Sequence, residues 1–256
     1  MKLLIKFLFI VVIFALFTAI GISFAFGIGK EVDITWTQED FNSGLSKSKV
    51  TIDDIQKLNL ENLARNNFST SGTSEIDDFF TSEEISALVS TANDKSGPIR
   101  DVKISFKDDG KVETSFKLSD NFVDFLKEQK IIPSNLPWEV EAAEENVELA
   151  EGSSGATLTD MVVDYITNKA NNKPVYATGE LTRASDNSVD IKIEQLTVGR
   201  IPLPQEAIER VEYETVRVIN AIISPENGFH IEELEVRENA LFYKGTLPAE
   251  IEGTEL

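Results

Sequence analysis

The sequence predicts an α+β protein. Helices pack on antiparallel strands in repeated helix–hairpin units, preceded by one N-terminal transmembrane helix. Three observations carry this. Phe7 to Gly29 is an uncharged run of 23 residues. Alternating apolar and polar stretches at 101–119, 174–198 and 230–247 each surround a short polar turn. Stretches at 82–93 and 205–224 repeat apolar residues at helical spacing.

A helix needs about 20 apolar residues to cross the hydrocarbon core of a bilayer. The run from Phe7 is long enough. Lys2 and Lys6 precede it and place the start on the cytoplasmic side. The rest of the chain is then extracytoplasmic. The competing reading is a cleaved signal peptide, with Ser23-Phe24-Ala25 as the small-x-small site. The domains expected are therefore a transmembrane anchor or signal peptide at 1–30 and an extracytoplasmic α+β domain at 31–256.

Composition excludes much chemistry. The 256 residues contain no cysteine and one histidine. Disulfides, thiolate metal sites and cysteine nucleophiles are ruled out, as are multi-histidine metal sites. The net charge is −20. Beyond residue 30 the balance is 21 basic against 44 acidic side chains, a net of −23. Nucleic acid is excluded as the main partner, because phosphate binding needs a basic face. A polybasic membrane contact is excluded on the same ground.

Val32 to Trp36 reads as a short strand or extended exit from the membrane. Thr37 and Asp40 make a capping box for a helix bearing Phe41 and Leu45. A second helix is expected over about 52–65, followed by a loop at 66–74. Thr81 or Ser82 caps the next helix, with Ile85, Leu88, Val89 and Ala92 on one face. Gly97-Pro98 ends it. The first hairpin turns at Asp108-Asp109-Gly110, and Val102, Ile104 and Phe106 share a face. Asp120 caps a short helix carrying Phe122, Phe125 and Leu126.

Residues 133–155 break the pattern, with Pro137, six glutamates and then GSSG. They read as an exposed acidic connection, which also offers a strip for docking an envelope protein. A helix over 157–169 follows, and then a hairpin about Ser185-Asp186-Asn187. Gly199 to Pro204 is a stiff turn, since each proline fixes its own φ and restricts its predecessor. The long helix from Gln205 to Ser224 is lined by Ile208, Val211, Val218, Ile219, Ile222 and Ile223. A last hairpin turns at Glu238-Asn239.

The helix at 82–93 and its hairpin echo the helix at 205–224 and its hairpin. Val102 and Ile104 align with Leu234 and Val236. Any helix-plus-hairpin protein shows some of this; a true repeat would give two similar units.

The anchor, FTSEEISALVS, KPVYATGELTRASDNSVDIKIEQLTVGRIPLP and LEVRENALFYKGTLP together resemble bacterial membrane-anchored relatives of the tubular lipid-binding (TULIP) superfamily, of the YpmS-like and LmeA-like kind. The resemblance covers most of 75–250 and implies a long helix packed on a curved antiparallel sheet, with an apolar groove for acyl chains. Val198, Ile201, Leu203, Ile219, Ile222 and Phe229 are the lipid-binding candidates. The alternative is that they pack a dry core.

No catalytic motif appears. Gly152-Ser153-Ser154-Gly155 lacks the spacing of a nucleophile elbow, and no phosphate-binding glycine loop is present. Asp108-Asp109-Gly110 lacks the alternating ligands of a calcium loop. The pairs Asp53-Asp54, Asp77-Asp78 and Glu83-Glu84 read as helix-start acids. His230 reads as a strand-edge residue, and Trp36 as an interfacial anchor or a core residue. The sequence thus points to a membrane-anchored, non-enzymatic protein without cofactor or metal. It binds or shields a lipid; the alternative is an envelope interaction module without a ligand.

Overall fold

The computed structural model describes residues 29–93, 97–108, 110–120, 122 and 174–254. The expected anchor, the helix after Asp120 beyond Phe122, the acidic connection and the helix at 157–169 lie outside these residues. No described helix is long and apolar enough to cross a membrane. The described part is a mixed α+β structure with three sheets.

Residues 29–36 belong to no helix or strand. They lie against the sheet all the same, because the N–H of the buried Val32 donates to the Ser115 hydroxyl at 3.0 Å. Glu31 pairs with Lys103 at 3.2 Å. Lys30 pairs with Glu113 at 3.1 Å and lies 4.1 Å from the centre of the Tyr176 ring. Gly29 is pressed onto Gly199, and a Cβ there would fall 2.2 Å from the Gly199 carbonyl oxygen. Only glycine allows that approach.

Helix α1 (Gln38–Ser48) starts with the expected capping box. Thr37 N–H donates to the Asp40 carboxylate at 2.7 Å, and Asp40 N–H returns to the Thr37 hydroxyl. The single helix expected over 52–65 is instead strand β1 (Thr51–Ile52), a 3-10 turn (Ile55–Leu58) and helix α2 (Leu60–Ala64). Asn59 breaks it. Its backbone is extended, and its side chain accepts from Asn62 N–H to start α2. The expected loop at 66–74 holds strand β2 (Phe68–Ser71). Strand β3 (Ser74–Thr81) follows and buries Ile76 and Phe80.

Helix α3 (Ser82–Asn93) has a second capping box. Glu84 N–H donates to the Thr81 hydroxyl at 3.2 Å, and Thr81 N–H to the Glu84 carboxylate at 2.9 Å. Its small residues let it lie directly on strand β4 (Ile99–Phe106). Ser86 hydroxyl accepts from Ile104 N–H at 2.8 Å, and Ser82 hydroxyl accepts from Phe106 N–H at 3.0 Å. These serines satisfy donors that an edge strand would otherwise leave open.

Strand β4 pairs with β5 (Lys111–Leu118), then β6 (Pro174–Ser185), β7 (Ser188–Val198) and the two-residue β8 (Ile201–Pro202). All pairs in this sheet are antiparallel. Pro202 closes the far edge, where its missing N–H costs no ladder bond. Helix α4 (Gln205–Ile222) packs chiefly across β7. The expected repeat would have laid it on the hairpin that follows it. That hairpin, β9 (His230–Arg237) and β10 (Ala240–Leu247), instead forms a sheet with β3 in the order β3-β10-β9. Strand β11 (Glu250–Gly253) lies between β1 and β2, parallel to β1 and antiparallel to β2.

The two larger sheets meet at two corners. Ile231 N–H donates to the Asp186 carbonyl at 2.6 Å, and Asn239 N–H to the Phe106 carbonyl at 3.0 Å. The buried core falls into two clusters. One gathers Leu118, Val175, Leu196, Val198 and Ile208. The other gathers Ile76, Phe80, Val189, Ile231 and Tyr243.

Candidate functional site

Between these clusters lies an apolar cavity of about 930 Å³. That is near the top of the range of about 300–1,000 Å³ typical of small-molecule sites. On the sheet side it is lined by Val189, Ile191, Ile193 and Leu196 of β7, by Val112, Thr114 and Phe116 of β5, and by Ile99, Val102 and Ile104 of β4. Helix α4 contributes Ala207, Val211, Thr215, Val218 and Ile219. Strands β9 and β10 close the third side with Leu234, Leu241, Tyr243 and Leu247.

Two β-bulges build this lining. In a regular strand every second residue faces the same side. Ile193 and Leu196 are three apart, yet both line the cavity, because the β6–β7 register shifts between Thr178 and Gly179. At that shift a Cβ on Gly179 would come 2.3 Å from the Lys192 carbonyl oxygen. Ile99 and Val102 are likewise three apart, across a shift between Arg100 and Lys103. Asp101 takes up the extra residue with φ of 53° and pairs with Lys117 at 2.6 Å.

Two rulers give the length of the lining. Val189 to Leu196 is seven strand steps, about 23 Å at 3.3 Å per residue. Ala207 to Ile219 is twelve helical steps, about 18 Å at 1.5 Å per residue. Half of a bilayer's hydrocarbon core is about 15 Å. The cavity is therefore long enough for one lipid tail laid along β7 and α4.

Polar groups in the lining are few. The Tyr243 hydroxyl is 2.8 Å from the Thr246 carbonyl and 3.1 Å from that of His230. Burial pushes its pKa up to about 12, so it stays neutral and serves as no base near neutral pH. The charged members are Glu180, Glu206, Arg210 and Glu214. The last three are spaced four apart on α4 and so share one flank of the helix. Glu214 also accepts from Arg217 at 2.8 Å.

The six lipid-binding candidates separate. Ile219 and Phe229 line the cavity. Val198 lies in the first core cluster, and Leu203 packs against it. Ile201 sits in β8 and Ile222 in the last turn of α4; neither is among the described lining residues. The inner faces of β4, β5, β9 and β10 went unassigned in the sequence reading. The signal was present in the hairpin alternation, which places Val102 and Ile104 on one face.

The paired acids serve structure. Asp54 accepts from Gln56 N–H at 3.0 Å and caps the 3-10 turn. Asp77 and Asp78 lie inside strand β3 and not at a helix start, and Asp78 accepts from Phe79 N–H at 2.7 Å. Glu84 binds α1 through Ser43 and Lys47. Among the described residues no three His, Asp or Glu side chains converge as a metal site would require. His230 opens β9, half-buried, as a strand residue.

The chain matches no protein-family model, no curated protein and no solved structure.

Proposed function

We propose that this protein is a membrane-anchored, extracytoplasmic lipid-binding protein that holds or shields an acyl chain and transforms no substrate. The observation that carries the reading is the elongated cavity: apolar along β7, β5, β4 and α4, and as long as a lipid tail. The uncharged run Phe7–Gly29 supports the membrane anchor. The plan of a long helix packed on a five-stranded antiparallel sheet supports a tubular lipid-binding architecture. In this reading α4 is the bar across the sheet, and the apolar surface it leaves uncovered is where the tail lies.

The test is uptake of a fluorescent fatty-acyl probe by the full chain and by Val218→Trp, which puts an indole into the cavity. The expected result is saturable uptake by the parent protein and at least tenfold weaker uptake by the variant. No uptake by the parent, or equal uptake by both, would sink the reading.

A further inference from the structure

We infer that the cavity selects a lipid with an uncharged, hydrogen-bond-donating head, a mono- or diacylglycerol, over an anionic phospholipid. This rests on the lipid-binding reading and deepens it. The apolar lining says only that a tail fits. The polar atoms among it say what head the tail carries.

Apart from Arg210, those atoms are acceptors. The Thr114 hydroxyl donates to the Lys103 carbonyl at 3.1 Å, and the Thr215 hydroxyl to the Val211 carbonyl at 2.7 Å. Each hydroxyl has one hydrogen. With it committed to the backbone, each threonine offers a ligand only lone pairs. Glu206 and Glu214 are carboxylates, which accept and do not donate when ionised, whereas Glu180 stands opposite Lys111 and Lys192 and so turns to the outer face of the sheet. Arg210 is the one cation among the described lining residues. It stands one turn from Glu206 on one side and Glu214 on the other, and it already has an interaction within the protein.

A phosphodiester head is itself an acceptor and carries a negative charge. In this lining it would meet two carboxylates, Glu206 and Glu214, and two hydroxyl oxygens without free hydrogens. Like charges repel, and acceptors facing acceptors leave both unsatisfied. A glycerol hydroxyl supplies the missing donor and no charge. Specificity here comes as much from rejecting the wrong head as from binding the right one.

The experiment is native mass spectrometry of the full chain, released from detergent after incubation with equimolar dioleoylglycerol and dioleoylphosphatidylglycerol. The expected result is a glyceride adduct at least tenfold more abundant than the phosphatidylglycerol adduct. Glu206→Gln combined with Glu214→Gln should narrow that ratio at least threefold, and Val218→Trp should remove both adducts. Equal adducts, or a dominant phosphatidylglycerol adduct, overturn the inference and leave the lipid-binding reading standing. A glyceride preference that the double glutamine variant leaves intact also overturns it. No adduct of either kind, or adducts that survive Val218→Trp, overturns both.

Discussion

Lys47 of α1 holds Glu84 of α3 at 2.8 Å, and that carboxylate also takes the Ser43 hydroxyl and the Thr81 N–H. One buried acid therefore caps one helix and fastens it to another. Burial by itself would raise the Glu84 pKa. The bonds from Lys47, Ser43 and Thr81 outweigh it and hold the carboxyl below its ordinary 4.5. A lowered folded-state pKa contributes stability that is fully present above the unfolded value and is lost as pH falls through the folded one. Glu84→Gln should cost about 1–3 kcal/mol at pH 7, because it leaves Lys47 half-buried without its counter-charge. The cost should shrink as the pH drops below 4.5. Urea unfolding of both proteins at pH 7 and near pH 3.5 checks this; a pH-independent difference would contradict it.

Gly179→Ala should be strongly destabilising for so small a change. The added methyl would sit 2.3 Å from the Lys192 carbonyl oxygen, a backbone atom that cannot swing away. Opening the β6–β7 bulge to admit it should cost about 2–4 kcal/mol. The bulge also sets which residues of β7 face the cavity, so acyl-probe uptake should fall in the population that remains folded. A melting temperature within 2 °C of the parent, by the scaling of roughly 2–4 °C per kcal/mol, would refute the prediction.

Val211→Asp separates stability from binding. Val211 lines the cavity yet is 40% exposed, so the substitution should change stability by no more than about 0.5 kcal/mol. It adds a charge beside Glu214 at the apolar mouth, and acyl-probe affinity should fall several-fold. Circular dichroism melts and probe titrations on the same samples give the two readouts. Unchanged affinity would mean that the tail does not pass this flank of α4.

Legibility in the sequence tracked how local the determinant was. The capping box at Thr37 and Asp40 and the helix α3 involve neighbours a turn apart, and both form, but α3 buries Ser82, Ser86, Ala87 and Ser90 while Ile85, Leu88 and Val89 are only half-buried. The three hairpins close through short turns and were equally plain. Strand β2 was hidden because its partner, β11, lies 179 positions away at Ser71 and Glu250, and a polar stretch such as FSTS becomes a strand only when that partner arrives. Strand β3 was masked by Glu75, Asp77 and Asp78, although Ile76 and Phe80 alternate correctly beneath them. The cavity was the hardest to foresee. Its lining depends on the bulges at Asp101 and Gly179, each of which reverses the side on which the following residues fall. An apolar residue alone does not announce whether it fills a core, as Val198 does, or borders a void, as Ile219 does.

Gly29 on Gly199 has a mechanical meaning. The uncharged run ends at Gly29, and from the next residue onward the chain is clamped to the sheet by Lys30, Glu31 and Val32. A pull arriving through Gly29 would therefore fall on the bonds that Lys30, Glu31 and Val32 make to β5 and β4 together, and not on a single contact.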